Sequence, residues 1–185
     1  MSFQQTTRIP RDRVGALIGR QGLTKKMVED AFGVSLAVDS ETGEVTVKLA
    51  SSAEEADPFR SLQVLDAIGK GFAPGRAMRL KDDETYMDVI DLREYAGKSR
   101  NSLERIKGRL IGMGGKARRV IEELSGAYIS VYGHTVSSIG TKEQVKLAGT
   151  AIRKLSSGGV HKAVYSELQK ERSKAKLERL KLWED

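Results

Sequence analysis

An internal repeat at an offset of 93 positions constrains the fold of this sequence more than any other feature. An ungapped match covers residues 14–38 and shares both glycine placement and apolar spacing. The aligned pairs include Leu17-Ile18-Gly19 with Leu110-Ile111-Gly112, Gly22 with Gly115, and Gly33 with Gly126. A solenoid needs at least about three repeats to bury a continuous core. Two copies therefore predict two tandem domains.

Hydrophobic periodicity predicts the order β-α-α-β-β-α in each copy. In the first copy the predicted elements are residues 3–9, 10–18, 23–32, 34–38, 44–49 and 59–68. In the second copy they are residues 86–92, 99–111, 116–125, 128–132, 135–139 and 142–155. We expect Met27, Val28 and Leu49 to face the first core. Gly33 and Gly126 lie where a left-handed helix cap belongs.

Glycine and proline also indicate the domain limits. Residues 69–79 contain three glycines and a proline and are predicted to link the copies, which assigns residues 1–74 to the first domain and 75–157 to the second. Beyond Gly158-Gly159, a further helix is predicted at 160–183, so that residues 158–185 form a C-terminal basic helix. Its apolar stripe is partial. We expect it to pack on its own protein or on a partner, because an isolated helix of this kind is marginal.

Charge is distributed unevenly between the copies. Residues 1–74 carry nine Lys and Arg against ten Asp and Glu, whereas residues 93–119 hold nine basic residues against only Glu94 and Glu104. A solvated face usually mixes both signs. A concentrated basic patch is typical of a polyanion-binding protein, and nucleic acid is the first candidate.

Each copy holds a G-x-x-G loop between two predicted helices: Gly19-Arg20-Gln21-Gly22 and Gly112-Met113-Gly114-Gly115. Because no Cβ stands in the way, the backbone N–H groups of such a loop can approach a nucleic-acid backbone. The start of the following helix adds unpaired donors and a partial positive charge that suit phosphate. A single G-x-x-G is a weak signal. Two loops, each eleven residues before a capping glycine, make a strong one.

The segment Arg109-Leu110-Ile111-Gly112-Met113-Gly114-Gly115-Lys116 resembles the signature of a type I KH domain, and Ala16-Leu17-Ile18-Gly19-Arg20-Gln21-Gly22 resembles a second one. The resemblance implies an α+β fold of two tandem type I KH domains, each with a three-stranded sheet packed on three helices. It also implies a groove that clamps about four unpaired nucleotides. Many KH domains have isoleucine three residues after the second loop glycine. Here Arg118 and Lys25 stand at that position, which suggests extra phosphate or base-edge contacts.

Residues 115–124 and the two-KH length look most like one family, the small-subunit ribosomal RNA processing proteins called partner of Nob in eukaryotes and their archaeal homologues. That resemblance implies single-stranded RNA binding near the 3′ end of small-subunit ribosomal RNA during its maturation. The protein partners that it implies are an rRNA-processing endonuclease or other ribosome-assembly or translation factors.

The candidate RNA-binding residues surround the second loop. They are Lys107, Arg109, Ile111, Gly112, Met113, Gly114, Gly115, Lys116, Arg118 and Arg119. A secondary set surrounds the first loop and consists of Gly19, Arg20, Gln21, Gly22, Lys25 and Lys26. Because neutralising phosphates contributes much of RNA affinity, we expect the second copy to carry most of the binding. The first copy either extends the footprint or acts as a structural and protein-binding unit.

Other nucleotide motifs fit the second loop poorly. Residues 112–117 match the dinucleotide string G-x-G-x-x-A, but that motif needs a preceding strand and an acid about twenty residues later. A P-loop needs Ser or Thr where Ala117 stands. The acid pairs Asp82-Asp83 and Glu122-Glu123 have no ligand spacing around them and are interpreted as solvated.

Composition narrows the chemistry further. The chain has no cysteine, and its two histidines, His134 and His161, lie far apart in the sequence. Disulfides, thiol catalysis and cysteine zinc sites are therefore excluded, and a histidine triad is not expected. No apolar run approaches the ~18 residues of a membrane helix. We expect no catalysis, metal, cofactor or membrane partner, and a cytoplasmic location.

Three functional hypotheses remain open from the sequence. The first is a non-catalytic RNA-binding factor in ribosome biogenesis. The second is a KH-fold adaptor whose main contacts are with protein, through the net-acidic first copy and the C-terminal helix. The third is a general binder of single-stranded RNA, which differs from the first only in its target.

Overall fold

Glycines end the paired helices of both copies, and the strands around them form two separate antiparallel sheets. The computed structural model describes residues 3–50 and 55–183. The chain divides between Asp83 and Glu84 into two units, each with its own sheet. The predicted α+β class is confirmed, and so is the order β-α-α-β-β-α in each unit.

In the first unit the helices cover one face of a three-stranded sheet. Its strands are β1 (Gln4–Arg8), β2 (Val34–Val38) and β3 (Glu44–Leu49), paired in the order β1-β3-β2. Its helices are α1 (Arg11–Ile18), α2 (Leu23–Phe32), α3 (Pro58–Gly69) and α4 (Pro74–Ala77). Val45 and Val47 of the central strand are fully buried. Alternate residues of β2 and β3 are buried, so this sheet has one covered face.

The second unit repeats the β-α-α-β-β-α order, with a short extra helix after its first strand and a long helix at its end. Its strands are β4 (Tyr86–Asp91), β5 (Tyr128–Tyr132) and β6 (Thr135–Gly140), paired in the order β4-β6-β5. Its helices are α5 (Arg93–Ala96), α6 (Arg100–Ile111), α7 (Lys116–Ser125), α8 (Lys142–Ser156) and α9 (His161–Leu182). The short α5 was not predicted, because four residues are too few to show a helical period.

The glycine-rich segment between the copies is more structured than its composition predicts. Helix α4 is followed by a 3₁₀ turn at Met78–Lys81, and Ala77 and Leu80 are buried. The Arg60 side chain donates from Nη1 to the carbonyl oxygen of Leu80 at 2.8 Å. Residues 75–83 thus cluster with the first unit, which places the division after Asp83 rather than at the predicted boundary after residue 74.

Two of the residues expected in the first core are exposed. Val28 is fully buried, but Met27 is 40% exposed because the inward stripe of α2 runs through Val28 and Phe32, four residues apart. Leu49 is 42% exposed, although it lies on the same strand face as Val45 and Val47. It is the last residue of β3, where the covered part of the sheet ends.

The predicted C-terminal helix is present as α9, and only its first half is buried. Val164 and Leu168 join the core formed by α6, α7, α8 and the second sheet. Further along, Leu177, Leu180 and Trp183 are exposed. Thus α9 is part of the second unit rather than a separate body. None of the helices in the described ranges is long and apolar enough to cross a membrane.

A glutamate ties the second helix of each pair to the edge strand that follows it. Glu29 Oε1 accepts a hydrogen bond from the backbone N–H of Leu36 at 2.7 Å, and Glu122 Oε1 accepts one from Ile129 at 2.9 Å. Both pairs are related by the 93-residue offset of the repeat. Strands β2 and β5 are sheet edges, so each carboxylate pairs an amide that the sheet leaves free. Glu122, interpreted above as solvated, therefore has a structural role.

We expect Glu122→Ala to lower the free energy of unfolding by about 1–3 kcal/mol, because a partly buried N–H loses its acceptor. Urea denaturation followed by circular dichroism measures this loss. Hydrogen exchange at the Ile129 amide should accelerate in the same variant.

Glu123→Ala is the matched control. The Glu123 side chain is exposed, and the change should stay within about 0.5 kcal/mol. Equal losses for the two variants would show that the tie to β5 does not stabilise the unit.

Candidate nucleic-acid interface

The two glycine loops have nearly the same backbone conformation. Gly19 and Gly112 have φ values of 71° and 70°, and Gly22 and Gly115 have values of 74° and 78°. All four values lie in the left-handed region that favours glycine. The repeat seen in the sequence is therefore a repeat of geometry at the loops.

The first glycine of each loop is required for two reasons: its φ is positive, and a side chain at this position would clash with the following helix. A Cβ on Gly112 would lie 2.8 Å from both the N and the Cβ of Ala117, and a Cβ on Gly19 would lie 2.2 Å from Thr24 Oγ1. The second residue of the following helix thus packs directly against this glycine. Close packing at this point fixes how the two helices meet.

The third loop position shows how the copies differ. Gly114 has φ 60° and nothing within 4 Å of a Cβ built on it, so only its backbone conformation favours glycine. In the first loop Gln21 has φ 52° at the equivalent position, which is uncommon for a residue with a side chain. A side chain can therefore be accommodated there in the left-handed conformation.

The second loop presents backbone and positive charge together. Met113 at its tip is 95% exposed, and Gly114 is also exposed. Helix α7 starts at Lys116, with no acidic residue in its first turn and no side-chain cap on its first N–H groups. These free donors and the helix dipole favour an anion at the loop.

Three basic residues of the predicted site lie on the first turns of α7. Lys116 and Arg119 are exposed, and Arg118 is half-buried. Arg119 donates from Nη1 to the carbonyl oxygen of Gly114 at 2.8 Å, which braces the loop. Neither Lys116 nor Arg118 has an ion-pair partner among the described residues.

Two other predicted residues lie on α6 beside the loop. Ile111 is its last residue and is half-buried. Lys107 is also half-buried, and its ammonium lies 3.7 Å from Glu104. This ion pair offsets part of the charge that the sequence assigned to the site.

Arg109 donates hydrogen bonds to backbone carbonyls within the second unit. Its Nε donates to the carbonyl oxygen of Leu155 at 3.2 Å, and its Nη2 donates to that of Gly159. His161 in turn donates from Nε2 to the Arg109 carbonyl oxygen at 2.9 Å. Of the predicted RNA ligands, Arg109 is the one that this geometry supports least, because its guanidinium is directed to the α8–α9 junction. We call this set of bonds the Arg109 clamp.

The first unit contains an equivalent clamp on a different residue. Arg13 donates from Nε to the Ile68 carbonyl oxygen at 2.9 Å and from Nη2 to that of Phe72 at 2.8 Å. In both units the two carbonyls lie four residues apart at the end of a helix. The repeat alignment does not reveal this, because the arginines fall at different positions of their helices.

The first loop is the less positive of the two. Arg20 and Lys26 are exposed, but the Lys25 ammonium lies 3.3 Å from a carboxylate oxygen of Glu29. That ion pair offsets the lysine that aligns with Arg118. The secondary site therefore offers a similar backbone with less available charge.

The β5–β6 hairpin turn is separated from the second loop along the chain by one helix and one strand. Helix α7 runs away from the loop for about 15 Å, and β5 runs back for about 16 Å. A groove is thus expected between the loop and the two-residue turn Gly133-His134. In the first unit the corresponding turn is longer, spanning residues 39–43.

Asp91 lies beside the hairpin tip and is bonded mainly to Arg93. The Arg93 side chain donates to both of its carboxylate oxygens, and the Arg93 N–H donates to Oδ1. These bonds, with a smaller contribution from His134 at 3.3 Å, hold the pKa of Asp91 well below its usual range. Arg93, which counted toward the basic cluster in the sequence, is therefore paired locally.

No group of three or more His, Cys, Asp or Glu residues in the described ranges is arranged to hold a metal ion. A groove of about 420 Å³ lies between α8 and α9, away from the glycine loop. Ion pairs of Lys154 with Glu167 and of Arg179 with Glu143 join the two helices beside it.

Comparison with known families gives matches in both units. Residues 86–173 match the model for the second KH domain of PNO1, described as a eukaryotic-type, type I KH domain, and residues 4–57 match the general KH domain model. Among curated proteins, the chain is 43% identical over 179 residues to a KH domain-containing protein of Methanocaldococcus jannaschii, covering 95% of this chain and 77% of that protein.

Two further matches connect the chain with ribosomal RNA proteins. It is 26% identical over 145 residues to the pre-rRNA-processing protein pno1 of Schizosaccharomyces pombe, covering 76% of this chain and 60% of that protein. It is also similar to a chain in the crystal structure of the a/eIF2α–aDim2p–rRNA complex from Pyrococcus horikoshii. The TM-score is 0.85 at 39% identity, and the match covers 94% of this chain and 96% of that one.

We expect Gly112→Ala to destabilise the second unit by about 1–3 kcal/mol, because the new Cβ meets Ala117 and the backbone is left-handed. Gly108→Ala, four residues earlier in α6, has nothing within 4 Å of its Cβ and should stabilise the helix by about 0.5–1 kcal/mol. Thermal unfolding of both variants measures the difference. A neutral Gly112→Ala would contradict the packing role of this glycine.

We expect Arg109→Met to destabilise the protein by about 2 kcal/mol, because two helix-end carbonyls lose a charged donor. The exposed Arg105 on the same helix is the control, and Arg105→Met should stay within about 0.5 kcal/mol. Urea denaturation and hydrogen exchange in α9 measure the effect. Both variants remove one positive charge, so a much greater loss of RNA affinity in Arg109→Met would identify a direct RNA contact instead.

Proposed function

Because the chain belongs to the family of tandem KH-domain proteins that includes archaeal Dim2p and eukaryotic PNO1, we propose that it binds single-stranded RNA and acts in ribosomal RNA processing. The proposed site is the G-x-x-G loop of the second KH domain. The proposed target is a segment near the 3′ end of small-subunit ribosomal RNA. In this proposal the protein acts as a non-catalytic binding factor.

The main support is the combination of an exposed loop and unpaired positive charge at the start of α7. The tip residues Met113 and Gly114 are exposed, and Lys116 directly follows the loop. A phosphate group placed at this point meets free backbone N–H groups, the helix dipole and nearby cations together. Backbone contacts of this kind position an RNA strand, whereas base contacts select its sequence.

The relatives support ribosomal RNA as the target. One is described as a pre-rRNA-processing protein, and another forms part of a complex that contains rRNA. The second of these covers nearly the whole chain at 39% identity. We extend both descriptions to this protein as part of the proposal.

In this proposal the first KH domain has an accessory role. It retains the loop backbone and the exposed cations Arg20 and Lys26, but its Lys25 is paired with Glu29. It therefore extends the RNA footprint weakly or contacts protein.

Protein contact is the second candidate function, and the exposed apolar residues of α9 favour it. Leu177, Leu182 and Trp183 are 60%, 80% and 88% exposed. Under this hypothesis the protein is an adaptor for a processing endonuclease or for other ribosome-assembly or translation factors.

Fluorescence anisotropy with a ~10-nucleotide strand copied from the mature 3′ end of small-subunit ribosomal RNA tests the proposal. A scrambled strand and a duplex of equal length are the nucleic-acid controls, each titrated at low and moderate salt. We expect the native strand to bind best, with a log–log salt slope of about −3, as four neutralised phosphates predict for a single strand.

The double variant Met113→Asp, Gly114→Asp should weaken binding at least about tenfold, because juxtaposed like charges cost several kcal/mol. The matched control is Arg20→Asp, Gln21→Asp, which alters the same two positions of the first loop and should have the smaller effect. Equal binding of native and scrambled strands would remove the proposed target but leave KH-type RNA binding. Failure of the wild type to bind any strand would favour the adaptor.

A further inference from the structure

Arg118 lies beside the second loop and is half-buried. One of its nitrogen atoms lacks a hydrogen-bond acceptor within the described ranges. Its Nε is buried and has no hydrogen-bond partner among the residues that the structure describes. A buried donor without an acceptor costs free energy. An unsatisfied donor of this kind beside the loop proposed to bind RNA favours a rotation of the Arg118 side chain that brings its guanidinium to an acceptor on the ligand.

The guanidinium of Arg118 lies against the loop itself. A Cβ built on Gly115 would be 3.9 Å from Arg118 Nη2 and 3.4 Å from Arg119 Nη1. The two guanidinium groups therefore flank the last loop glycine. Arg119 already donates to the Gly114 carbonyl oxygen, whereas Arg118 has no such bond in the described structure.

The first unit shows what happens to a cation at this position when it is neutralised. Lys25 aligns with Arg118, and its ammonium lies 3.3 Å from Glu29. Glu122 aligns with Glu29 and likewise accepts from an edge-strand amide, that of Ile129. Arg118 itself has no ion pair among the described residues. Its charge thus remains available.

A guanidinium differs from an ammonium in what it can recognise. Its planar fork donates two parallel hydrogen bonds and matches a pair of adjacent acceptors. Phosphates can be held at the exposed loop backbone and by the exposed Lys116. The planar fork of Arg118, which lies beside the last loop glycine, instead suits a group with two adjacent acceptors, such as the edge of an unstacked base.

We propose that Arg118 selects the base bound beside the second loop, favouring guanine or cytosine over adenine or uracil; this inference rests on the proposed RNA-binding function. Guanine presents the adjacent acceptors O6 and N7, which arginine reads in pairs, and cytosine presents O2 and N3. Adenine and uracil place a donor next to each acceptor on the corresponding edges. The guanidinium can therefore donate two parallel hydrogen bonds only to guanine or cytosine.

Fluorescence anisotropy tests the assignment. The strands are uridine decamers, each with a single guanine, cytosine or adenine at one of four central positions. For the wild type we expect one position at which guanine or cytosine binds roughly tenfold more tightly than adenine or uracil, since a bidentate pair discriminates by about 1–3 kcal/mol. The strand set also separates guanine from cytosine as the preferred base.

Arg118→Lys is the informative variant, because it retains the charge and removes the fork. It should bind the plain uridine decamer within about threefold of the wild type, with the same salt slope, and lose the preference. Arg119→Lys is the matched control on the next residue and should retain the preference. Lysine occupies the aligned position of the first unit, so the substitution suits this fold, and circular dichroism checks it.

The outcomes separate the two proposals. The assignment is supported if Arg118→Lys loses the base preference while Arg119→Lys keeps it. A wild type that binds all strands equally, or an Arg118→Lys variant that keeps the preference, overturns base selection by Arg118 and leaves RNA binding intact. A wild type that binds no strand overturns both.

Discussion

The left-handed turn between paired helices is the constraint on which each unit depends. Because the first loop glycine has no Cβ, the second residue of the next helix can pack directly against it, and the two helices approach closely at the turn. That arrangement exposes the tip of the second loop and directs the free N–H groups of α7 toward solvent. Arg119 then braces the loop from the helix side. The same turn therefore organises the packing and creates the candidate interface.

The two units share a backbone and differ in how they use charge. In the first, Glu29 bonds the edge strand and also lies within ion-pair distance of Lys25. In the second, Glu122 keeps the bond to the strand, while Arg118 remains unpaired in the described residues. One unit thus satisfies its cation internally, and the other keeps its cation available. Duplication of a fold with such a change is a direct route to one binding unit and one supporting unit.

The local signals in the sequence were sufficient for the loops and the helices beside them. Helices α2 and α7 have the predicted bounds because glycines limit them on both sides. The Arg109 clamp and the short α5 could not be predicted, since neither leaves a periodic pattern. The partners of Arg109 lie about fifty positions away and are backbone carbonyls, which any residue could supply. From the sequence alone, an arginine on a basic helix is interpreted by its charge, and RNA contact by Arg109 stays a prediction.

The Arg109 clamp connects the helix before the second loop to the start of the C-terminal helix. Helix α6 ends at Ile111, and the loop begins at the next residue, so the clamp holds the last turn before the loop. The same bonds secure the start of α9 through Gly159 and His161. A displacement of the start of α9 would therefore act on the last turn before the loop. The clamp adds to the packing of α9 on α7 and α8 in coupling the two candidate contact surfaces of the second unit, for RNA and for protein.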